Sequence, residues 1–349
     1  IVNTVSNPTI LFTSVVIIFP FIFPPSDWFE KWHRRLGLHH IWSTKTIIIA
    51  VIGMVAFFIY GLGDYNFQKI VLKPDNVPIS GLIFLVVFFT WFAMNQAYSN
   101  DKRLDDGKKP NEFYEAPNDK VLVWPDLVYV ELISLIIVSA FLLVWSIGLP
   151  APIEEPANPT ESPNPAKAPW YFLGLQEMLV YFDPWMAGVV MPSLILVGLM
   201  AMPYIDRNPE NSGFFSYKRR RTAISLFMFG WLVLWVMLII VGTFLRGPNW
   251  NFFGPFEYWD IHKLEALTNI NFSEIIYIKW LNWGLPDSIL LREIWGILVI
   301  LGYFLILPPL LAKTVLKDMY ARLGAARYSV FIVLIIIALT LPIKMYLRW

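Results

Sequence analysis

Residues 218–245 read KRRRTAISLFMFGWLVLWVMLIIVGTFL, and this stretch decides the fold class. Four consecutive basic residues, Lys218–Arg221, are followed by 24 residues without a charge. About 20 apolar residues suffice to cross the hydrocarbon core of a bilayer as an α-helix. Clusters of Lys and Arg mark the inner side of a membrane. The stretch therefore predicts a transmembrane helix that begins on the inner side.

The composition of the whole chain supports the same class. Of the 349 residues, 57% are hydrophobic and only 15% are charged, which is too few charges for a soluble protein of this length. The formal net charge of +1 gives no support for a nucleic-acid partner. Cysteine is absent, which excludes disulfides, thiolate metal sites, iron–sulfur ligation and cysteine-attached haem within these residues. The chain is expected to be an integral membrane protein.

Eight apolar runs predict an all-α polytopic membrane protein with about eight transmembrane helices. The first run is interrupted by Pro20, Pro24 and Pro25, so we expect it to be kinked or half-inserted. Eighteen of the 27 basic residues fall in alternate connections on one side. This bias places the connection at 150–185 on the outer, electropositive side. The runs lie near 8–25, 46–62, 80–98, 127–149, 186–204, 222–245, 291–312 and 328–347.

A proline-rich segment followed by aromatic residues lies in that outer connection. Residues 156–177 read PANPTESPNPAKAPWYFLGLQE. Irregular backbone near the hydrocarbon edge persists only where protein covers it or where it lines a cavity. The segment therefore predicts the rim of a pocket at Trp170 and Tyr171. The alternative is that these two side chains belong to an interfacial aromatic belt.

An ordered set of motifs resembles the carboxy-terminal domain of cytochrome b. The motifs are Asn118–Pro125, Glu155–Pro159 and Pro169–Phe172, with apolar helices between and after them. The closest form is subunit IV of cytochrome bf complexes and its bacterial relatives, and the resemblance covers about residues 112–246. It implies a central three-helix unit at 101–249, preceded by extra transmembrane helices at 1–100. An outer segment and two further helices follow at 250–349.

The resemblance implies a membrane subunit of a quinol:cytochrome c oxidoreductase, or of one with a related acceptor, that is not catalytic alone. Such a subunit forms one wall of the outer-side quinol oxidation site and supports coupled proton release. The implied partners are a haem-bearing cytochrome b amino-terminal subunit, a Rieske iron–sulfur protein and a cytochrome c subunit in a dimeric complex. Haem b and the iron–sulfur cluster would lie on those partners. The expected location is a bacterial inner membrane or an equivalent energy-transducing membrane.

The sequence departs from the family at the residue that usually accepts a proton from quinol. The family pattern is Pro-Glu-Trp-Tyr, whereas this chain has Ala168 and Pro169 before the Trp-Tyr pair. A proton acceptor works best when its pKa lies near the operating pH, and burial raises the pKa of a carboxylate. Without the usual glutamate, the alternative function is a structural subunit of another respiratory or photosynthetic assembly, without its own quinol chemistry.

Helical spacing suggests a replacement for the missing acid. In a continuous helix, Trp170, Gly174, Glu177 and Tyr181 would share one face. We expect Glu177 to accept a quinol proton and Tyr171 to orient the quinol, with Pro169, Trp170 and Tyr181 lining the pocket. The alternatives for Glu177 are a hydrogen bond within a site of helix packing or a position facing interfacial water.

The four histidines exclude the haem pair of a cytochrome b from this chain. Two stacked haems need histidine pairs about 13 residues apart on apolar helices. The histidines lie in polar connections and are expected at the surface. The open alternatives are a metal or haem at His39 and His40, and a role for His262 as a ligand or docking contact. No metal site is predicted. The histidines are His33, His39, His40 and His262.

Two further features remain open from the sequence. Glu131 lies about one turn into the fourth apolar run, where an acid is costly. It could serve a proton route or an inner quinone site, lie at the headgroup boundary, or pair with a basic neighbour. Residues 246–255 form an outer segment that could cover the quinol site, dock the iron–sulfur subunit or act as a structural cap. A transporter is disfavoured because the apolar runs have almost purely apolar interiors.

Overall fold

The computed structural model describes residues 1–115, 122–151, 156, 158–160, 162–206, 215–265 and 270–347. In these ranges the regular structure is helical, apart from an isolated β-bridge between Arg246 and Phe252. The principal helices are α1 (Pro8–Ile22), α2 (Asp27–Arg35), α3 (Thr44–Gly61), α4 (Tyr65–Val71), α5 (Val77–Asp105), α6 (Asp126–Gly148), α7 (Trp170–Met178), α8 (Met186–Ile205), α9 (Tyr217–Leu245), α10 (Ile289–Lys313), α11 (Lys317–Leu323) and α12 (Ala325–Leu347). Short helical turns lie at Val2–Val5, Leu38–Trp42, Glu112–Glu115, Pro248–Trp250, Phe272–Glu274 and Ile275–Trp280.

Seven helices in the described ranges are long and apolar enough to cross a membrane, and an eighth span results if the bent pair α1 and α2 is counted. The seven are α3, α5, α6, α8, α9, α10 and α12. Each coincides with a predicted apolar run. The prediction of an all-α polytopic membrane protein with about eight spans is therefore confirmed.

The interruption predicted for the first run is a sharp bend. Helix α1 has 15 residues, which cover only about 22 Å at 1.5 Å per residue. It continues through Pro20 and ends at Ile22, and α2 then leaves at an angle of 94° to it. Residues Pro24 and Pro25 lie in the break, where a fixed φ and a missing N–H prevent the helix from continuing.

The first compact unit comprises Ile1–Ala166, Ser212–Val233 and Thr243–Lys263. One apolar core of this unit joins the end of α1, the turn before α3, the helix α5 and the beginning of α9. Trp91 of α5 donates its indole N–H to the backbone oxygens of Trp42 and Ser43, both at 3.1 Å, which fixes α5 against that turn. The fully buried members are Phe23, Trp42, Met94, Ala97, Tyr217 and Met228.

The expectation that all four histidines lie at the surface is wrong for His33. Its side chain is completely buried in the first unit, on the face of α2 that also buries Glu30. One ring nitrogen lies 2.7 Å from the Phe21 carbonyl oxygen and the other lies 3.2 Å from the Tyr98 hydroxyl. The polar sequence of α2 conceals this burial, because the contacts come from residues distant along the chain.

The second compact unit comprises Lys167–Asn211, Leu234–Gly242 and Leu264–Trp349. Helix α7 packs against residues Met237–Ile240 of α9, and α8 packs against α12. One core cluster lies between these helices, and a second lies between α10 and α12. Both units are assembled from several stretches of sequence. The domains 1–100, 101–249 and 250–349 were defined by resemblance to a known family and not by contacts within the structure. They stay a prediction.

Candidate functional site

Helix α7 begins directly at the predicted pocket rim. Pro169 is the residue before its first turn and has an extended backbone, with φ −52° and ψ 148°. Its carbonyl oxygen accepts a hydrogen bond from the Phe172 N–H at 2.8 Å. Proline suits this position because its φ is already fixed near the helical value and its missing N–H needs no partner. Pro169 thus sets the point at which Trp170 and Tyr171 leave the loop.

Three aromatic side chains project from the first turn of α7. Trp170, Tyr171 and Phe172 are between two-fifths and one-half exposed. The rings of Trp170 and Tyr171 meet edge to face at 5.7 Å, and those of Tyr171 and Phe172 lie 4.7 Å apart. Neighbouring rings at these distances stabilise one another. The turn therefore presents an aromatic surface with one hydroxyl, and its role as the rim of a pocket stays a prediction.

The opposite part of α7 is buried against residues 234–242 of α9. A Cβ atom added to Gly174 would lie 3.6 Å from Ile239 Cγ1, and one added to Gly242 would lie 3.4 Å from the Leu173 carbonyl oxygen. Each helix thus places a glycine where the other approaches closely. In both cases the added atom would make ordinary van der Waals contact, so α7 and α9 pack directly on one another at these two glycines.

Glu177 lies on this packed part of α7 and is completely buried. It is the only acidic residue in the helix. Seven residues separate it from Trp170, which places both on one side of α7 about two turns apart. That side passes from the exposed ring of Trp170 through the buried Gly174 to the buried carboxylate of Glu177. The structure thus brings Trp170 and Glu177 onto one side, as predicted.

The prediction that one continuous helix includes Tyr181 is wrong. Helix α7 ends at Met178, and the chain turns through hydrogen bonds from the Tyr181 and Phe182 N–H groups to the Met178 carbonyl oxygen, at 3.0 and 2.9 Å. Tyr181 is buried, with 5% of its surface exposed, but it lies beyond the helix end. Asp183 and Pro184 provide the stop signal, because the residue before proline disfavours the α conformation. Asp183 then accepts hydrogen bonds from the first N–H groups of the next helical segment.

A side chain that sequence reasoning missed holds the loop against α7. The side-chain oxygen of Gln176 accepts a hydrogen bond from the Ala168 N–H at 2.8 Å. This bond spans eight residues and ties the residue before Pro169 back to the second turn of the helix. Gln176 therefore fixes the angle at which the loop enters α7. No pattern in the sequence indicates this contact.

The end of α7 rests on an apolar cluster that includes the carboxy-terminal helix. Met178 packs with Leu238 of α9 and with Leu341 of α12, all of them buried. Phe182 and Met345 lie against the same cluster. Helix α12 therefore supports the candidate site from behind, which the sequence resemblance did not suggest.

The outer segment after α9 is hydrogen-bonded to the proline-rich loop within the first unit. Asn164 and Asn249 exchange two hydrogen bonds, one of 2.9 Å between their side chains and one of 2.6 Å from the Asn249 N–H. Farther along, the Phe256 N–H donates to the Asn3 side chain at 3.0 Å, and the Phe256 ring stacks on Phe67 at 5.0 Å. These contacts hold Phe256 against Asn3 and Phe67 of the same unit, an arrangement compatible with the structural cap among the three roles left open by the sequence. Arg246 is buried there and donates to the Trp250 carbonyl oxygen.

The described residues contain no group of three or more His, Cys, Asp or Glu side chains arranged to hold a metal ion. The rings of His39 and His40 lie 4.0 Å apart. Glu154 and Glu155, together with Ala157, lie outside the described residues, so the middle of the second predicted motif is not described.

Comparison with known families gives the class of one segment of the chain. Residues 156–256 match the family described as cytochrome b (C-terminal)/b6/petD. This match includes α7 and the whole of α9. The recognition of a cytochrome b carboxy-terminal, subunit IV-like segment is therefore confirmed.

Two relatives give the particular proteins that the chain resembles. It is 30% identical over 122 residues to a protein of Geobacillus thermodenitrificans named menaquinol:cytochrome c reductase cytochrome c subunit. It is 29% identical over 124 residues to the protein of the same name from Bacillus subtilis (strain 168). Each similarity covers 32% of this chain and 48% of the relative, so the chain spans about half the length of these relatives. No solved structure matches the chain significantly.

Proposed function

We propose that this chain is a membrane subunit of a quinol:cytochrome c oxidoreductase and that α7 forms one wall of its outer-side quinol oxidation site. The observation that carries the proposal is the arrangement of α7 within a segment that matches cytochrome b. Its first turn exposes Trp170 and Tyr171, and its single acid, Glu177, is buried on the same side as Trp170. The names of the relatives direct us to menaquinol as the first quinol to test.

Each named residue has a role in this proposal. Pro169 and Trp170 form the rim that receives the quinol ring, and the Tyr171 hydroxyl orients it through a hydrogen bond. Glu177 accepts one proton from a quinol hydroxyl, which is the task that the family assigns to the glutamate replaced here by Pro169. Tyr181 lines the inner end of the pocket. A buried carboxylate can perform this task because removal from water favours its protonated form.

The redox groups would be held outside these residues. Oxidation of quinol releases two protons and two electrons, and the electrons would pass to a Rieske cluster and to a haem b on partner subunits. The relatives are named as cytochrome c subunits, whereas the 349 residues here contain no cysteine to attach such a haem. We therefore place the cytochrome c haem, like haem b, outside this chain segment. A bacterial inner membrane, in a dimeric multi-subunit assembly, is the expected setting.

The experiment is quinol oxidation by the purified complex with Glu177→Gln in this subunit. The amide keeps the size of the side chain but cannot accept the proton, so we expect turnover to fall by about 100-fold, at the low end of what general-base catalysis contributes. Glu274→Gln, in the helical turn Phe272–Glu274, is the matched control and should leave turnover unchanged. Assembly is checked by co-purification of the other subunits. Unchanged turnover of a fully assembled Glu177→Gln complex would overturn the assignment.

A specific observation supports a second candidate function, that of a structural subunit without quinol chemistry. Pro169 occupies the position of the family's proton acceptor, and Glu177 is buried at a site of close helix packing rather than exposed beside the rim. Tyr171→Phe separates the two functions. Loss of the orienting hydroxyl should raise the KM for quinol if the site operates. If the subunit is structural, the KM for quinol should not change. An inhibitor of quinol oxidation should then also leave the fluorescence of Trp170 unchanged.

A further inference from the structure

The loop before α7 is held to the helix by a hydrogen bond that lies entirely within the second compact unit. The Ala168 N–H donates to the side-chain oxygen of Gln176 at 2.8 Å. Gln176 lies six residues after Trp170, the first residue of the helix, so its backbone is about 9 Å farther along the helix axis. Ala168 precedes the helix. The loop therefore does not continue along the axis but turns back beside α7.

This bond lies at the edge of the side of α7 that carries the proposed site. At 100° per residue, Trp170, Gly174 and Glu177 fall within an arc of about 60°. Gln176 precedes Glu177 in the chain and lies about 100° from it around the helix. The loop residues that Gln176 holds therefore border the arc that runs from Trp170 to Glu177.

Two hydrogen bonds together fix the entry of the chain into α7. Pro169 has φ −52° and ψ 148°, and its carbonyl oxygen accepts the Phe172 N–H at 2.8 Å. The bond to Gln176 holds Ala168, the residue immediately before Pro169. Because the proline φ is fixed by its ring, a change in the position of Ala168 is passed on to Trp170.

Alanine at position 168 makes this bond possible. The family pattern Pro-Glu-Trp-Tyr has proline at this position, and proline has no N–H to donate. The same bond therefore could not form with the family residue. The two departures of this chain from the pattern, Ala168 and Pro169, thus produce a loop that is held from the second turn of α7.

We propose that Gln176 is a positioning residue of the quinol site. Through the Ala168 N–H it holds the residue before Pro169. It thereby sets the place of Trp170 relative to Glu177, its neighbour on the same helix. Its amide acts through the rim and not on quinol itself. The inference rests on the proposed function and names the residue that fixes the binding rim of that site.

Hydrogen–deuterium exchange of the purified complex, resolved at the Ala168 amide, tests the bond itself without any quinol. We expect Gln176→Leu to make this amide exchange about tenfold faster, because leucine offers no acceptor. Gln176→Glu retains an acceptor oxygen and should leave the rate close to that of the wild type. Gln68→Leu makes the same substitution in α4 and is the matched control. Equal exchange at Ala168 in Gln176→Leu and wild type would overturn the proposal.

Quinol oxidation by the same preparations tests the positioning role. We expect Gln176→Leu to raise the KM for quinol about fivefold, the size that follows from the loss of one hydrogen bond. The value of kcat should change little, because Glu177 stays in place. Gln176→Glu should retain the wild-type KM. A merely structural role would reduce the amount of assembled complex and leave both constants unchanged, which would contradict the proposal.

Ala168→Pro removes the same bond from its other end. It deletes the donor and leaves the side chain of Gln176 unchanged. We expect it to raise the KM for quinol as much as Gln176→Leu does. The double variant should be no worse than either single variant, since both changes remove the same bond. Additive increases in KM would show that the two residues act independently and would refute the proposal.

This proposal and the proposed function fail separately. A raised KM in Gln176→Leu with normal turnover of Glu177→Gln would keep the positioned rim and remove Glu177 as the proton acceptor. Glu177-dependent turnover with a wild-type KM in Gln176→Leu would keep the quinol site and remove the positioning role.

Discussion

Replacement of His33 by leucine should destabilise the first compact unit strongly. The Phe21 carbonyl oxygen can only accept a hydrogen bond, so the His33 nitrogen 2.7 Å away must be Nδ1–H acting as donor. In a neutral ring this leaves Nε2 to accept from the Tyr98 hydroxyl at 3.2 Å. The ring also stacks on that of Tyr98, with centroids 5.7 Å apart. His33 therefore joins the end of α1 to α5 through two buried hydrogen bonds.

The magnitude follows from the groups that His33→Leu would leave behind. The Phe21 carbonyl and the Tyr98 hydroxyl would each lose a buried partner, at about 1–3 kcal/mol apiece. We therefore expect the free energy of unfolding to fall by about 2–6 kcal/mol. The assay is thermal unfolding of the purified chain in detergent, followed by tryptophan fluorescence. His262→Leu is the control, because His262 is exposed and should change little.

The same residue predicts a dependence of stability on pH. Burial holds the pKa of His33 below its usual value, although the hydrogen bond to Phe21 and the charge of Glu30 act in the opposite direction. Below about pH 6.5 the unfolded chain therefore binds a proton that the folded chain does not, and stability falls as pH decreases. One proton corresponds to a slope of at most about 1.4 kcal/mol per pH unit.

His33→Leu should flatten this pH dependence without abolishing it. Burial also lowers the pKa of His39, which lies near His33 and contributes in the same direction. Wild type and variant are compared at several pH values between 5 and 8. An equal slope in both proteins, or a loss of stability no larger than that of His262→Leu, would refute the buried network.

Two further changes test other parts of the fold. In Gly61→Ala the new Cβ would lie 2.6 Å from the buried Phe67 ring. We therefore expect the free energy of unfolding, measured by thermal unfolding, to fall by about 1–3 kcal/mol. Gly53 faces open space, so Gly53→Ala should be neutral. In Asn249→Val a β-branched residue would have to adopt a φ of 56°, and the hydrogen bonds with Asn164 would be lost. We therefore expect the segment after α9 to become sensitive to protease. Asn249→Gly retains the backbone conformation and should be affected less. Equal protease sensitivity of the two Asn249 variants would argue against the strained position.

The membrane spans could be predicted from the sequence because their signal is local. A run of about 20 apolar residues must become a helix in a bilayer, since no other open structure satisfies its backbone. The break after α1 was equally local, because Pro24 and Pro25 act on the residues beside them. The burial of His33 depends instead on α5, whose Tyr98 lies 65 positions away in the sequence. No spacing within α2 carries that information.

The candidate site, like the fold, was predictable only where its signals are local in the sequence. Pro169 fixes the start of α7, so the exposure of Trp170 and Tyr171 follows from local rules. The helical face was correct as far as Glu177 and wrong at Tyr181, because the prediction ignored the stop signal of Asp183 and Pro184. The hydrogen bond from Ala168 to Gln176 depends on how the loop folds back, and the sequence does not show it.

The burial of Glu177 bears on how a change at this residue should act. Glu177 is buried by its own chain, so its environment already exists in the isolated subunit. A change at Glu177 should therefore alter the chemistry of an assembled complex. Measurement of turnover and of subunit co-purification on the same Glu177→Gln preparation separates a loss of chemistry from a loss of assembly.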